Sequence, residues 1–237
     1  MSGPQVKGWC PGAHRPMMSG DGLVIRVRPF GGRISGAQAH VICDLAQQFG
    51  NGMIDLTNRA NLQLRGVVEA DHTAVLDALA AADLLDPGAG VEQRRNILVQ
   101  PFWQHGDLTT RLAAELTARL AELPELPTKF GYAVDTGQQP CLTDASVDIR
   151  LERGAQGVLV CADGADRGVE VAEDAAISTL IEMAHWFAKT ARARRMAAHL
   201  PRVPLPQQWA QAPRRVVCAR PHPGPIAGGQ LIGLPFG

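Results

Sequence analysis

The chain has 237 residues, 46% of them hydrophobic and 19% charged, which suits one large core or two modest ones and excludes a disordered chain. Its 23 Lys and Arg balance 23 Asp and Glu, so no global field favours nucleic acid or an anionic membrane, and any anion site has to be local. The opening MSGPQVKGWCPGAHRP has no apolar signal core, and no run approaches the roughly 20 apolar residues of a spanning helix. Five cysteines without a CxxC pair point to reduced thiols and, with the rest, to a cytoplasmic location.

In chain order, the stretch 22–29 (GLVIRVRP) alternates Leu23, Ile25 and Val27 with Val24, Arg26 and Arg28, the period of a strand with one apolar and one basic face. Ser35 stands three residues before Gln38 as a capping box, and Ile34, Val41, Ile42, Leu45 and Phe49 follow at helical spacing up to Gly50. Asn51 and Gly52 mark a turn before a short strand at 53–56, and 61–67 gives a second strand, the two forming a hairpin. A helix is expected over 70–85, stopped by Asp86, Pro87 and Gly88. This order fits an α+β fold in which helices cover one face of a mixed sheet, as in ferredoxin-like folds.

Beyond residue 88, RRNILVQP predicts a strand and 107–123 a helix with leucines every four residues. Strands follow at 129–134, 147–151 and 157–161, then one long helix over 173–200 with a basic later part, KTARARRMAAH. Residues 201–225 are Pro-rich, as in an extended connector, and GGQLIGLPFG reads as a turn and a brief strand. The expected organisation is a half-domain at 1–88, a central α+β domain at 89–200, a linker at 201–225 and the first strand of an incomplete second half-domain at 226–237.

The segment 51–67, NGMIDLTNRANLQLRGV, concentrates hydrogen-bond donors: Thr57, Asn58, Arg59, Asn61, Gln63 and Arg65. Period two puts Asn61, Gln63 and Arg65 on one strand face, where Arg26 and Arg28 of a neighbouring strand would add guanidinium forks that bind carboxylates bidentately. Alternation alone favours the blander reading of a solvated polar sheet face. Arg95 and Asn96 opening a strand, Lys129 at the mouth of another, and a Gly- and Pro-rich segment with Trp9, Cys10, His14 and Arg15 able to cover a ligand all favour a binding site. Cys10 and His14 have a C-x-x-x-H spacing, a weak metal signal with two ligands only. Cys43 and Cys161 read as buried structural thiols, His185 as a packed helix residue, and Arg192, Arg194 and Arg195 as a solvated helix face.

Four blocks in order, WCPGAHRPMMSGDGLVIRVRP, NGMIDLTNRANLQLRGV, RRNILVQP and LPTKFGYAVDTG, resemble the siroheme-dependent nitrite and sulfite reductase superfamily, most closely its precorrin-3B synthase branch. The resemblance covers nearly the whole chain. It implies a nitrite/sulfite reductase ferredoxin-like half-domain, a central domain, and a pseudo-twofold partner half that begins near residue 226 and is cut short at Gly237. It also implies an oxidoreductase of cobalamin biosynthesis, a monooxygenase that hydroxylates precorrin-3A with dioxygen and closes a lactone, using a non-haem iron and a 4Fe–4S cluster, the cluster's ligands being absent from this chain. The electron donor is unassigned. Arg59, with Thr57 and Gln63, matches the tetrapyrrole-site arginine of the T-x-R-x-x-x-Q block, Arg95 the arginine before Asn in the next strand, and Lys129 the first lysine of the K-F-K anion clamp. Gly131 replaces the second lysine, which weakens a sulfite- or nitrite-reducing reading and suits a polycarboxylate tetrapyrrole. A non-catalytic tetrapyrrole-binding fragment is a further alternative. An unpaired apolar sheet face would also invite self-association or pairing with a missing half.

Overall fold

The computed structural model describes residues 10–214 and, as backbone, the short strands Gly224–Ile226 and Gly229–Leu231. Trp9, Cys218, His222 and most of the expected final strand lie outside the described residues.

The first sheet has the order β1-β2-β4-β3, built from β1 (Met17–Ser19), β2 (Gly22–Val27), β3 (Ile54–Leu56) and β4 (Leu62–Val67), all antiparallel. Helices α1 (Gly36–Phe49) and α2 (His72–Ala81) cover one face. Ser35 and Gln38 form the reciprocal capping box that starts α1, and Ile42, Leu45 and Ala46 turn inward from it. They meet Leu23, Ile25, Val27, Leu64 and Val67 in a core closed by Val75 and Leu79 of α2. Each such buried aliphatic side chain is worth roughly 1.5–3 kcal/mol. The pairing slips between Leu23, opposite Val67, and Ile25, opposite Leu64. Gly66, at φ 71°, absorbs the extra residue, which lets Leu64 and Val67 both face the core although they are three apart. The opposite face is the polar one that the alternation predicts: Arg26, Gln63 and Asp55 stand there in one cross-strand row.

The second sheet has the order β10-β9-β8-β7-β6-β5. Strands β5 (Ile97–Val99), β6 (Tyr132–Asp135) and β7 (Ile149–Arg153) run parallel, while β8 (Val158–Ala162), β9 (Arg167–Val171) and β10 (Ala212–Pro213) continue antiparallel. A short helix α3 (Ala89–Arg94) leads into β5, α4 (Leu108–Ala118) follows it, and α5 (Ala176–Thr190) packs beside α4 over the main core. Two strands, β1 and β9, have no counterpart in the sequence reading, because three residues within a Gly-rich segment and five with little apolar alternation leave a weak periodic signal. Ala212–Pro213 adds an edge strand within the stretch read as connector.

The helix expected over 173–200 is two helices. α5 ends at Thr190 and a short α6 spans Met196–His199. The break is held by groups distant in sequence: His199 Nδ1 accepts the Arg192 N–H at 3.2 Å, and the buried Asp148 carboxylate accepts the Met196 N–H at 2.8 Å. Arg195 thereby turns inward onto Asp148 instead of lying on a solvated face, while Arg192 and Arg194 stay exposed. His185 is exposed too, its Nε2 within 2.9 Å of the Glu122 carbonyl oxygen, and Cys43 lies off the buried stripe of α1 and is exposed.

The two sheets are joined through Arg95, whose guanidinium is buried. Its Nε and Nη2 donate to Asp86 at 2.6 and 2.8 Å, and Nη2 also donates to the Arg28 carbonyl at 2.7 Å. The free edge of β5 is covered by residues 30–33: Arg33 donates to the Pro101 and Trp103 carbonyls, and Trp103 Nε1 donates to the Gly31 carbonyl at 2.9 Å.

Two outcomes follow. Arg95→Ala strands Asp86 without its partner in a dry environment and should cost roughly 3–5 kcal/mol in urea unfolding; a loss under about 1 kcal/mol would contradict the bridge. Burial pushes the Cys161 thiol up to about 12, with the Glu152 carboxylate adding to the shift. Iodoacetamide at pH 8 should therefore label Cys43 but spare Cys161 until the chain is denatured, as read by peptide mass spectrometry.

Candidate functional site

The turn between β3 and β4 is built by Thr57. Its hydroxyl accepts the Arg59 and Asn61 N–H groups, its own N–H donates to the Asn61 carbonyl, and Ala60 takes a left-handed φ of 52°. This tight turn projects Arg59 away from its own sheet and across to the second one. There Nη1 donates to the Lys129 carbonyl at 3.1 Å and Nη2 to the Ser146 hydroxyl at 3.4 Å. Lys129 and Asn58 are exposed beside it, and Asn61 is buried in the turn.

On β2, Arg26 donates through Nη2 to Gln63 at 3.1 Å, while its Nε is buried with no hydrogen-bond partner among the described residues. Arg28 is more extreme: only 9% exposed, its Nε has no hydrogen bond among the described residues and stands 4.0 Å from Glu92. Burial pulls the Arg28 guanidinium below the ordinary arginine value, with Glu92 opposing that shift. Arg59 is lowered by burial first and then by repulsion from Arg195. Both groups stay cationic at any physiological pH, since arginine starts from so high a value. A buried donor left unmade costs about 1–3 kcal/mol, so these positions favour an incoming acceptor.

The remaining expected ligands are occupied. Arg65 pairs with Asp21 at 3.2 Å and Asp55 at 3.6 Å, Arg95 is committed to Asp86, and Asn96 Nδ2 donates to the Phe130 carbonyl at 2.9 Å. These three hold the fold rather than offering donors to a ligand. A Cβ at Gly131 would stand 3.0 Å from the Asn96 carbonyl oxygen, so the glycine keeps the segment after Lys129 close to β5.

The N-terminal segment covers this site as a clamped strap. Glu92 accepts the Ala13 N–H at 2.5 Å and the His14 N–H at 3.1 Å; His14 Nε2 meets the Asp86 carbonyl oxygen at 2.7 Å, and His72 Nε2 meets that of Ala13 at 2.8 Å. Arg26 N–H donates to the Gly12 carbonyl at 3.2 Å. Glu92 was not picked out from the sequence, because a lone acidic residue on a short helix carries no motif; here it holds both the strap and Arg28. Between strap, β2 and α3 lies a cavity of about 130 Å³ lined by Cys10, Gly12, Arg15, Arg28, Glu92 and Thr128. A larger, apolar cavity of about 510 Å³, lined by Phe30, Ile97, Trp103 and Ala113 among others, has in Arg95 a cation already paired with Asp86. Among the described residues no three His, Cys, Asp or Glu side chains converge to hold a metal ion, Cys10 and His14 included. No helix among them is long and apolar enough to cross a membrane.

Residues 15–82 match the nitrite/sulfite reductase ferredoxin-like half domain, so the chain carries that module and has an α+β fold of this kind. The chain is similar to a precorrin-3B synthase from Sinorhizobium sp, 31% identical over 155 residues that make up 62% of this chain and 32% of that protein. It is also 30% identical over 136 residues to a ferredoxin-nitrite reductase of Synechococcus elongatus, covering 52% of this chain and 26% of that one. The match thus spans about a third or less of these relatives. The solved structure of the Mycobacterium tuberculosis NirA protein superposes with a TM-score of 0.57 over 87% of this chain and 43% of that one at 14% identity, a likeness of fold.

Glu92→Ala would release two strap amides and the nearest carboxylate to Arg28 together. Hydrogen exchange at the Ala13 and His14 amides should speed up by at least about tenfold, corresponding to roughly 1.4 kcal/mol of lost protection. Unchanged exchange would mean that the strap is held by something else.

Proposed function

We propose that this chain is the substrate-binding part of an oxidoreductase acting on a polycarboxylate tetrapyrrole, with the oxygen-dependent hydroxylation and lactone formation on precorrin-3A as the reaction. The observation that carries the reading is the set of incompletely paired guanidinium groups, Arg26, Arg28 and Arg59, beside the exposed Lys129 in an otherwise charge-balanced protein. Arginine forks suit carboxylates because two parallel N–H groups meet two oxygens, and partial burial strengthens each bond. Thr57, Asn58, Asn61 and Gln63 shape the turn and strand that present them. The 31% identity to a precorrin-3B synthase supports the particular substrate.

These residues bind and orient the macrocycle, while the strap from Cys10 to Arg15 limits access of water. The 4Fe–4S cluster and non-haem iron implied by the resemblance would supply the oxygen chemistry. The described residues do not fit either group. The electron donor is unassigned, and a cytoplasmic location forms part of this proposal.

A second reading, reduction of nitrite, is favoured by the relatives that bear that name. Gly131 weighs against it, since a small anion relies on converging ammonium and guanidinium charges and position 131 supplies none.

Arg59→Ala should weaken binding of uroporphyrin, an eight-carboxylate tetrapyrrole, by more than about 1.5 kcal/mol in fluorescence titration, and millimolar nitrite should not displace it. Unchanged affinity would remove Arg59 from the site, and displacement by nitrite would favour the second reading.

A further inference from the structure

We propose that Asp148 and Arg195 are positioning residues that hold Arg59 and the Lys129 segment in register, an inference that rests on the tetrapyrrole-carboxylate reading of that ledge. Asp148 is fully buried just before β7. Its carboxylate accepts the Gly131 N–H at 2.9 Å, the Met196 N–H at 2.8 Å and Arg195 Nε at 2.9 and 3.1 Å, and its own N–H donates to the Gly131 carbonyl at 2.7 Å. Both backbone groups of Gly131 are thus fixed, two residues from Lys129.

Arg195 completes the arrangement. Its Nη2 donates to the Val147 carbonyl at 2.8 Å and its Nη1 to the Ser146 hydroxyl at 2.9 Å, the same oxygen that accepts Arg59 Nη2. The contacts close a ring: Asp148 to Gly131, along the chain to Lys129, from its carbonyl to Arg59, through Ser146 to Arg195 and back to Asp148. A ring fixes direction better than a single bond, because displacing any member stretches two contacts.

Charge gives the ring a second task. Arg59 and Arg195 stand close enough to repel, and Asp148 is the carboxylate that offsets the repulsion from within the protein. Burial raises the Asp148 carboxyl, while Arg195 and the two N–H donors oppose that shift. The carboxylate sits behind the ledge, so the two guanidinium groups are kept together in spite of their repulsion. Arg195 spends its Nε and one hydrogen of each terminal nitrogen on this internal work, which marks it as acting through Arg59 rather than on the ligand.

Uroporphyrin affinity, read by fluorescence on the 237-residue chain, tests the idea with Arg195→Lys, Ser146→Ala, Arg59→Ala and the double variant Arg59→Ala/Arg195→Lys, uroporphyrin octamethyl ester serving as the uncharged probe. Arg195→Lys keeps the charge but loses the planar fork; it should weaken the acid by at least about tenfold, Ser146→Ala by about threefold, and the ester by neither. The double variant should bind as weakly as Arg59→Ala alone, since the two act in series. Additive losses would show direct ligand contact by Arg195 and overturn the positioning role. Unchanged affinity in Arg195→Lys and Ser146→Ala, with Arg59→Ala still weak, would also overturn it while sparing the ledge. An unaffected Arg59→Ala would sink the ledge reading itself and this inference with it. Ser146 is exposed and its variant should melt like the parent, so it decides the matter if Arg195→Lys does not fold.

Discussion

A guanidinium removed from water has to be met by several acceptors at once, and Arg95 meets that demand with two groups that precede it in the chain by 9 and 67 residues. Asp86, from the end of the first unit, takes its fork, and the Arg28 carbonyl, from the end of β2, takes a further bond. Breaking one member leaves a buried charge, a far larger cost than the pair gains in isolation. This cluster is one of the contacts that fix the two sheets relative to one another, and through the Asp86 carbonyl it also holds His14 of the strap.

The same rule explains which cations the site leaves incompletely paired. Of the arginines on the first sheet and its connection, Arg65 and Arg95 have carboxylates in bonding contact, whereas Arg28 is left at salt-bridge limit from Glu92 and Arg26 with a bare Nε. Glu92 is shared between Arg28 and two strap amides and cannot satisfy them all. The result is a local excess of donors in a protein with no net charge, which is the electrostatic form suited to a polycarboxylate that must be held at several points.

Much of this architecture was legible in the residues. Alternation in GLVIRVRP and NLQLRGV, the Ser35–Gln38 box and the leucines of α4 are local signals, and each produced its element because short-range sterics and capping outweigh distant contacts there. Gly66 shows the limit of that logic. Strict period two would send Val67 to the polar face, and the bulge returns it to the core. The long helix failed for a related reason: helical spacing runs through Arg192 to Arg195, but His199 and Asp148 offer the backbone better partners than the next turn does.

By itself the sequence determined most strands, most helices and the segment proposed to carry the site, since those depend on neighbours a few residues away. Which arginines would be spent inside the protein, and which left with unmet donors, only the tertiary structure decided. Bonding capacity is settled by acceptors brought from remote positions: Asp86 removed Arg95 from the list of free donors, and Asp148 drew Arg195 from the surface to the back of the ledge. A guanidinium fork is the same in every sequence, and its role follows from what stands within 3 Å of it after folding.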